Sequence, residues 1–260
     1  IVVVGGGPAG LCAGLYSGRA KLKTVVLEKG IPGGQIVNTG DVEDYPGFEH
    51  IMGPELAQKM EDHCKKFGAE IRMEEVEEVY CEGEDRITRT SENEYRSKVV
   101  ILSAGGSPVY LEIPGEKKYW GKGVSYCAIC DGAFFQDQVI AVVGGGDAAV
   151  EEGLFLTKYG SKVLIVHRRD RLRAQKIIQE RAFKEEKIEF IWDTVAEEIV
   201  GDDKEVKSIR LKNVKTGESS ELELGGVFVF IGFTPNSGLV RDHLEKDENG
   251  YYLTDEAMMT

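Results

Sequence analysis

The segment Cys127-Ala128-Ile129-Cys130-Asp131-Gly132 is the part of the chain best suited to covalent chemistry. Two cysteines separated by two residues can close into a disulfide and reopen as a dithiol. One thiolate is activated while the other resolves the mixed disulfide. Asp131 stands next to the pair and can give or take the proton that thiol chemistry requires. Zinc is the main competing reading, but a structural zinc site needs four ligands. The spare candidates nearby, His50, His63, Cys64 and Cys81, have no knuckle spacing. A purely structural disulfide is a further alternative, and it fits poorly with a cytosolic nucleotide-binding chain. Cys12, Cys64 and Cys81 are isolated and read as buried filler.

Two glycine-rich turns supply the second kind of chemistry. Gly5-x-Gly7-x-x-Gly10, with Gly6, Pro8 and Ala9 between, follows an apolar run and opens a helical pattern. The first glycine makes the turn, the second admits a pyrophosphate to the backbone, and the third lets helix pack on strand. Glu28 ends the next apolar run, where a carboxylate can hold ribose hydroxyls. Gly144-x-Gly146-x-x-Ala149, with Asp147 inside it, repeats the pattern. At the place of Glu28 this second unit carries His167-Arg168-Arg169, followed by Arg173. Guanidiniums there can clamp a 2′-phosphate that a carboxylate would repel. The first turn therefore reads as an FAD site and the second as an NADPH site. A solvated basic patch is the bland alternative.

The elements that must position these residues follow from hydrophobic periodicity. Strands are expected at 1–4, 24–27 and 99–103, helices at 9–20 and 55–67, and antiparallel strands between 70 and 97. Residues 30–50 read as a long loop. A second unit follows, with strands at 139–143, 162–166, 188–192, 206–212 and 227–231 and a helix at 148–159. The segment 232–238 has the composition of a linker. The expected fold class is α/β, with two Rossmann-like dinucleotide-binding domains. An NADPH-binding domain at 114–238 is inserted into an FAD-binding domain formed by 1–113 plus 239–260. The two crossings are expected to act as a hinge.

Composition narrows the function classes. With 45 acidic residues against 32 Lys and Arg, the net charge of −13 argues against nucleic acid as a partner. No apolar run approaches the roughly 20 residues of a spanning helix. The opening at Ile1 and the abrupt close at Thr260 lead to the expectation that both ends are cut.

The sequence resembles the low-molecular-weight thioredoxin reductases over essentially its whole length. The likeness rests on IVVVGGGPAG, GGQ at 33–35, DYPGF at 44–48, IPGE at 113–116, CAICDG, GGGDAAVEE, HRRDRLRA and IGFTPNS at 231–237. It implies a homodimeric cytoplasmic enzyme that passes electrons from NADPH through FAD to the Cys127–Cys130 disulfide and on to thioredoxin. Cys127 would attack thioredoxin, Cys130 would face the flavin, and Asp131 would be the acid–base group. Residues 28–35, including Gly34 and Gln35, the backbone at 6–9 and at Val76, and Gly105 would contribute to the FAD site. Ile231 and Gly232 would join the cofactor positions of the return segment. Asp44 stands where the family usually has Asn near the flavin. The family's closing GD motif would follow Thr260. The rival readings are a flavin-dependent reductase of another disulfide, a ferredoxin-linked relative and a non-catalytic redox sensor.

Overall fold

In the computed structural model, residues 1–241 and 244–260 are described. They divide into two units, Ile1–Ser107 with Thr234–Thr260, and Pro108–Phe233. The inserted unit therefore starts and ends about five residues before the expected 114 and 238. Hydrogen bonds give the reason. The carboxylate of Glu116 accepts from the N–H groups of Leu111 and Glu112, at 2.7 Å each, and so ties 111–112 to the inserted unit. Asn236, at the far crossing, bonds instead to Ala104, Gly105 and Ser107 of the first unit. The crossings Gly106–Pro108 and Phe233–Pro235 pair as a two-stranded sheet.

The first unit is built on Val2–Val4, a β-branched strand buried along its whole length. It lies between Val25–Glu28 and Val100–Leu102 in a parallel sheet, with Glu70–Met73 at the far edge. Strand side chains alternate between faces. Val2 and Val4 pack with Val76 and Val79 of an antiparallel three-stranded layer, whereas Val3 packs with Leu11 and Cys64 of the helices Pro8–Arg19 and Gly53–Lys66. A strand covered on both faces has no place for polar residues, which accounts for the uninterrupted valines.

The inserted unit repeats this plan. Its five-stranded sheet runs Val124–Ser125, Gly226–Phe230, Val139–Gly144, Lys162–Val166 and Ile188–Ile191, with parallel pairing throughout. Val143, Val166 and Val229 face an antiparallel layer containing Ile199, Ile209 and Leu211. Ile140, Val142 and Ile165 face the helix Asp147–Leu156. In each unit the strand that ends in the glycine turn has neighbours that leave the sheet order in opposite directions. Such a reversal opens a crevice at the strand ends, where ligands bind in this architecture.

The elements missed by periodicity are short or polar. They are the strand Val124–Ser125, the helix Lys176–Lys184 and the strands Thr194–Gly201 and Ser219–Glu223. Within the expected loop 30–50, Gly34–Asn38 forms a turn of 3-10 helix, and Asp41–Val42 pairs with Ile51–Met52 beyond it.

Candidate functional site

The first glycine turn has the geometry its sequence requires. Gly5 has φ +96° and donates its N–H to Leu27 O at 2.8 Å. At Gly10 a Cβ would lie 1.8 Å from Gly5 O, so the helix crosses the turn too closely for any side chain. Gly7 caps that helix and Pro8 enters its first turn, leaving backbone N–H groups at the helix start unused. Glu28 is fixed by two backbone donors, Gly6 N–H to Oε2 at 2.6 Å and Gly30 N–H to Oε1 at 3.0 Å.

A cavity of about 340 Å³ opens at these strand ends, lined by Gly5, Glu28 and Val76 together with Lys29, Glu74, Glu75, Ala104 and Asn236. Gly34 lies against Gly7, and Gln35 donates from Nε2 to Gly106 O at 3.3 Å. Gly105 has φ +61°, and its carbonyl accepts from the Asn236 N–H. Burial opposes ionisation of Glu74, but hydrogen bonds from Tyr95, Asn93 and Thr90 outweigh it and hold the carboxyl below its ordinary range. Asp44 is exposed in the loop after Asp41–Val42 and does not line this cavity. Asn236 was hidden in the segment read as a linker. Its amide donates to Ala104 O at 2.9 Å and accepts from the Ser107 hydroxyl at 2.8 Å.

The second turn frames a cavity of about 360 Å³ of opposite character. Gly144, His167, Arg168, Arg169, Arg173 and Ile231 line it, with Gly145, Val109, Leu111 and 194–196 as unforeseen members. The Arg173 N–H donates to Gly145 O at 2.7 Å, and Asp147 Oδ1 accepts from the Gln175 N–H at 2.6 Å. These two bonds staple the basic loop onto the turn. Asp147 thereby has a structural task in place. Ala149 is buried against Gly144, Gly146 caps the helix with open space where a Cβ would stand, and Gly232 accepts from the Val109 N–H.

Among the described residues none of Arg168, Arg169 and Arg173 forms an ion pair. His167 is buried against Gly145, and its Nε2 has no partner there. Burial pushes the imidazole below its ordinary value; the three arginines act in the same direction and a backbone hydrogen bond at Arg171 acts against them.

The cysteine pair lies in the inserted unit and is closed as a Cys127–Cys130 disulfide. Cys127 is half-buried at the start of the short helix Ala128–Asp131, where its Sγ accepts from the Cys130 N–H at 3.2 Å. Cys130 is exposed. Asp131 is half-buried and receives a 2.6 Å hydrogen bond from the Ser125 hydroxyl. Nothing in the sequence singles out Ser125.

Two units with dinucleotide-type glycine turns, one of them carrying a disulfide beside an acid, define a disulfide oxidoreductase built on two nucleotide-binding modules. The chain belongs to the pyridine nucleotide-disulphide oxidoreductase family, whose profile matches residues 1–260. It is similar to the thioredoxin reductase of Bacillus subtilis (strain 168), 48% identical over 260 residues, which covers all of this chain and 82% of that protein. The thioredoxin reductase of Peptoclostridium litorale is 50% identical, with 100% and 84% covered. Among solved structures, Lactococcus lactis thioredoxin reductase superposes with a TM-score of 0.97 at 50% identity, covering 99% of this chain and 85% of that one. That of T. acidophilum gives 0.94 at 32% identity, with 98% and 84% covered. No helix among the described residues is long and apolar enough to cross a membrane.

Proposed function

We propose that the chain is the NADPH- and FAD-dependent reductase of oxidised thioredoxin. The observation that carries this reading is the Cys127–Cys130 disulfide in the same unit as an arginine-lined cavity at a dinucleotide-type glycine turn. FAD fits the first cavity. The Gly5–Gly10 turn leaves no side chain between helix start and ligand, and the Glu28 carboxylate keeps lone pairs for ribose hydroxyls beside its two backbone bonds. NADPH fits the second, where the guanidiniums of Arg168, Arg169 and Arg173, free of ion pairs, could hold a 2′-phosphate. Gly146, Ile231 and Gly232 would border the rest of the nucleotide.

A bound flavin supplies the chemistry the side chains lack, accepting two electrons as hydride and releasing them to a disulfide. The protein's own part is to receive them. Once Cys127 and Cys130 are a dithiol, the Cys130 N–H aimed at the Cys127 sulfur favours its thiolate. Asp131 manages the accompanying proton. Cys127, whose thiolate is favoured in this way, would attack the disulfide of oxidised thioredoxin, with Cys130 as the sulfur toward the flavin. Thioredoxin as partner, a homodimer and a cytoplasmic setting complete the proposal on the resemblance described above.

The test uses the flavin-loaded protein. NADPH should bleach the flavin band in wild type and in Cys127→Ser and Cys130→Ser alike, whereas thioredoxin reduction should fall to background in both variants. Normal thioredoxin turnover in either variant would overturn the assignment.

A further inference from the structure

Ser125 closes the edge strand Val124–Ser125, two residues before the first cysteine, and is 2% exposed. Its hydroxyl accepts from the Cys127 N–H at 3.1 Å. Its own proton has two acceptors in reach, Asp131 Oδ2 at 2.6 Å and Cys127 O at 3.2 Å. The shorter contact is to a carboxylate, and charge-assisted hydrogen bonds are the stronger kind. One hydroxyl therefore links the backbone of the first cysteine to the acid that follows the second. Asp131 is additionally held by its N–H, which donates to Cys127 O at 3.2 Å.

The same two side chains line a cavity of about 330 Å³, with Lys122, Phe134, Gln138 and Lys204 on its other walls. A carboxylate at a cavity edge can exchange protons with solvent while Ser125 holds it from the buried side. We propose that Ser125 is a positioning residue for the proton transfers of the cysteine pair. It occupies Oδ2 of Asp131 and leaves Oδ1 as the atom that carries the proton.

The inference deepens the reductase reading and rests on it for biological meaning, but its test needs neither nucleotide nor thioredoxin. The chemically reduced protein is mixed with oxidised glutathione, and closure of the Cys127–Cys130 bond is followed by quenching and alkylation. In this reaction one cysteine thiolate attacks the glutathione disulfide and expels one glutathione thiolate. The second cysteine thiol gives its proton to Asp131 and attacks the mixed disulfide, and Asp131 passes that proton to the second glutathione sulfur as it leaves. The protein dithiol loses two electrons and two protons, and the products are one protein disulfide and two glutathione thiols.

Ser125→Ala should slow closure about tenfold, the scale of one lost charge-assisted hydrogen bond. Ser125→Thr, which keeps the hydroxyl, should recover most of the rate. In an Asp131→Asn background, Ser125→Ala should add no further loss, because a residue acting through Asp131 has nothing left to position. An equal slowing in both backgrounds would mean a merely structural role and would overturn the proposal. Should Ser125→Ala fail to fold, Ser125→Gly serves instead and is read in the same two backgrounds. Slowing that vanishes with Asp131→Asn supports the inference, and a wild-type rate refutes it. A wild-type protein that closes its disulfide normally yet ignores thioredoxin would instead overturn the proposed function.

Discussion

The two glycine turns have nearly the same backbone plan and opposite chemical surroundings. In the first unit the strand after the helix ends in Glu28, and Glu74 and Glu75 also border the cavity. In the second, the equivalent strand runs into His167, Arg168 and Arg169, with Arg173 folded back over the turn. Strand, turn and helix start would present N–H groups to a pyrophosphate in either unit on the proposed reading. What separates the two is the charge at the end of one strand, a handful of side chains in otherwise parallel architectures. On the proposed reading, ligand choice is written at the strand's end, and the glycines provide only the cradle.

The largest expected effect removes that charge from the second unit. Arg168→Ala combined with Arg169→Ala should raise the KM for NADPH by about a hundredfold or more, since each lost charge-assisted bond to a phosphate is worth roughly tenfold. The KM for NADH should barely change, because it offers no 2′-phosphate. Steady-state kinetics with both nucleotides checks the split, and equal changes would erase the contrast drawn between the two cavities.

A smaller effect separates the turns by packing. The third glycine of the first turn, Gly10, has an alanine counterpart in Ala149, which the second unit buries without difficulty. A methyl at Gly10 would collide with Gly5 O at 1.8 Å, and that neighbour is backbone, which cannot rotate aside. Gly10→Ala should therefore destabilise the protein by about 1–3 kcal/mol, the range for forced overpacking. It should also weaken flavin retention, whereas Ala149→Gly should leave both nearly unchanged. Thermal melts with flavin release as a second readout would decide, and a stable, flavin-retaining Gly10→Ala protein would show that the turns are more alike than their geometry states.

Much of this arrangement was legible from residue order because it is local. The valine runs, the glycine turns and the acid-versus-arginine contrast all lie within one βαβ unit, where periodicity and spacing act directly. The less legible parts depend on long-range closure. Asn236 looked like part of a linker, and only the return of the chain to Ala104 and Ser107 makes it a wall of the first cavity. Ser125 gave no signal because a two-residue edge strand has no periodicity, and its tie to Asp131 forms only when the chain turns into the cysteine helix. Thr194–Gly201 was masked by acidic residues on its open positions. The first domain crossing lies a few residues before its expected place because the Glu116 carboxylate captures the backbone of Leu111 and Glu112, and the second because Asn236 bonds back to Ala104, Gly105 and Ser107.

The smallest effect concerns His167, which stands where the first unit carries Glu28. Burial chiefly, and then the neighbouring arginines, hold its folded-state pKa below the unfolded value of about 6.5. Between those two pKa values the unfolded chain binds more protons than the folded one, so stability rises with pH across that window. The histidine's contribution is intact above about pH 6.5 and erodes as the pH falls toward the depressed folded value. His167→Gln cannot titrate, so wild type should lose more melting temperature than the variant on going from neutral to mildly acidic pH. Adenosine 2′,5′-bisphosphate should shrink that difference, because an anion beside the ring favours its protonated form. Identical pH dependence in the two proteins would mean that the imidazole is less enclosed than its packing against Gly145 requires. If instead the difference appears but the bisphosphate leaves it unchanged, the anion does not reach His167, and the arginines alone distinguish the second cavity from the first.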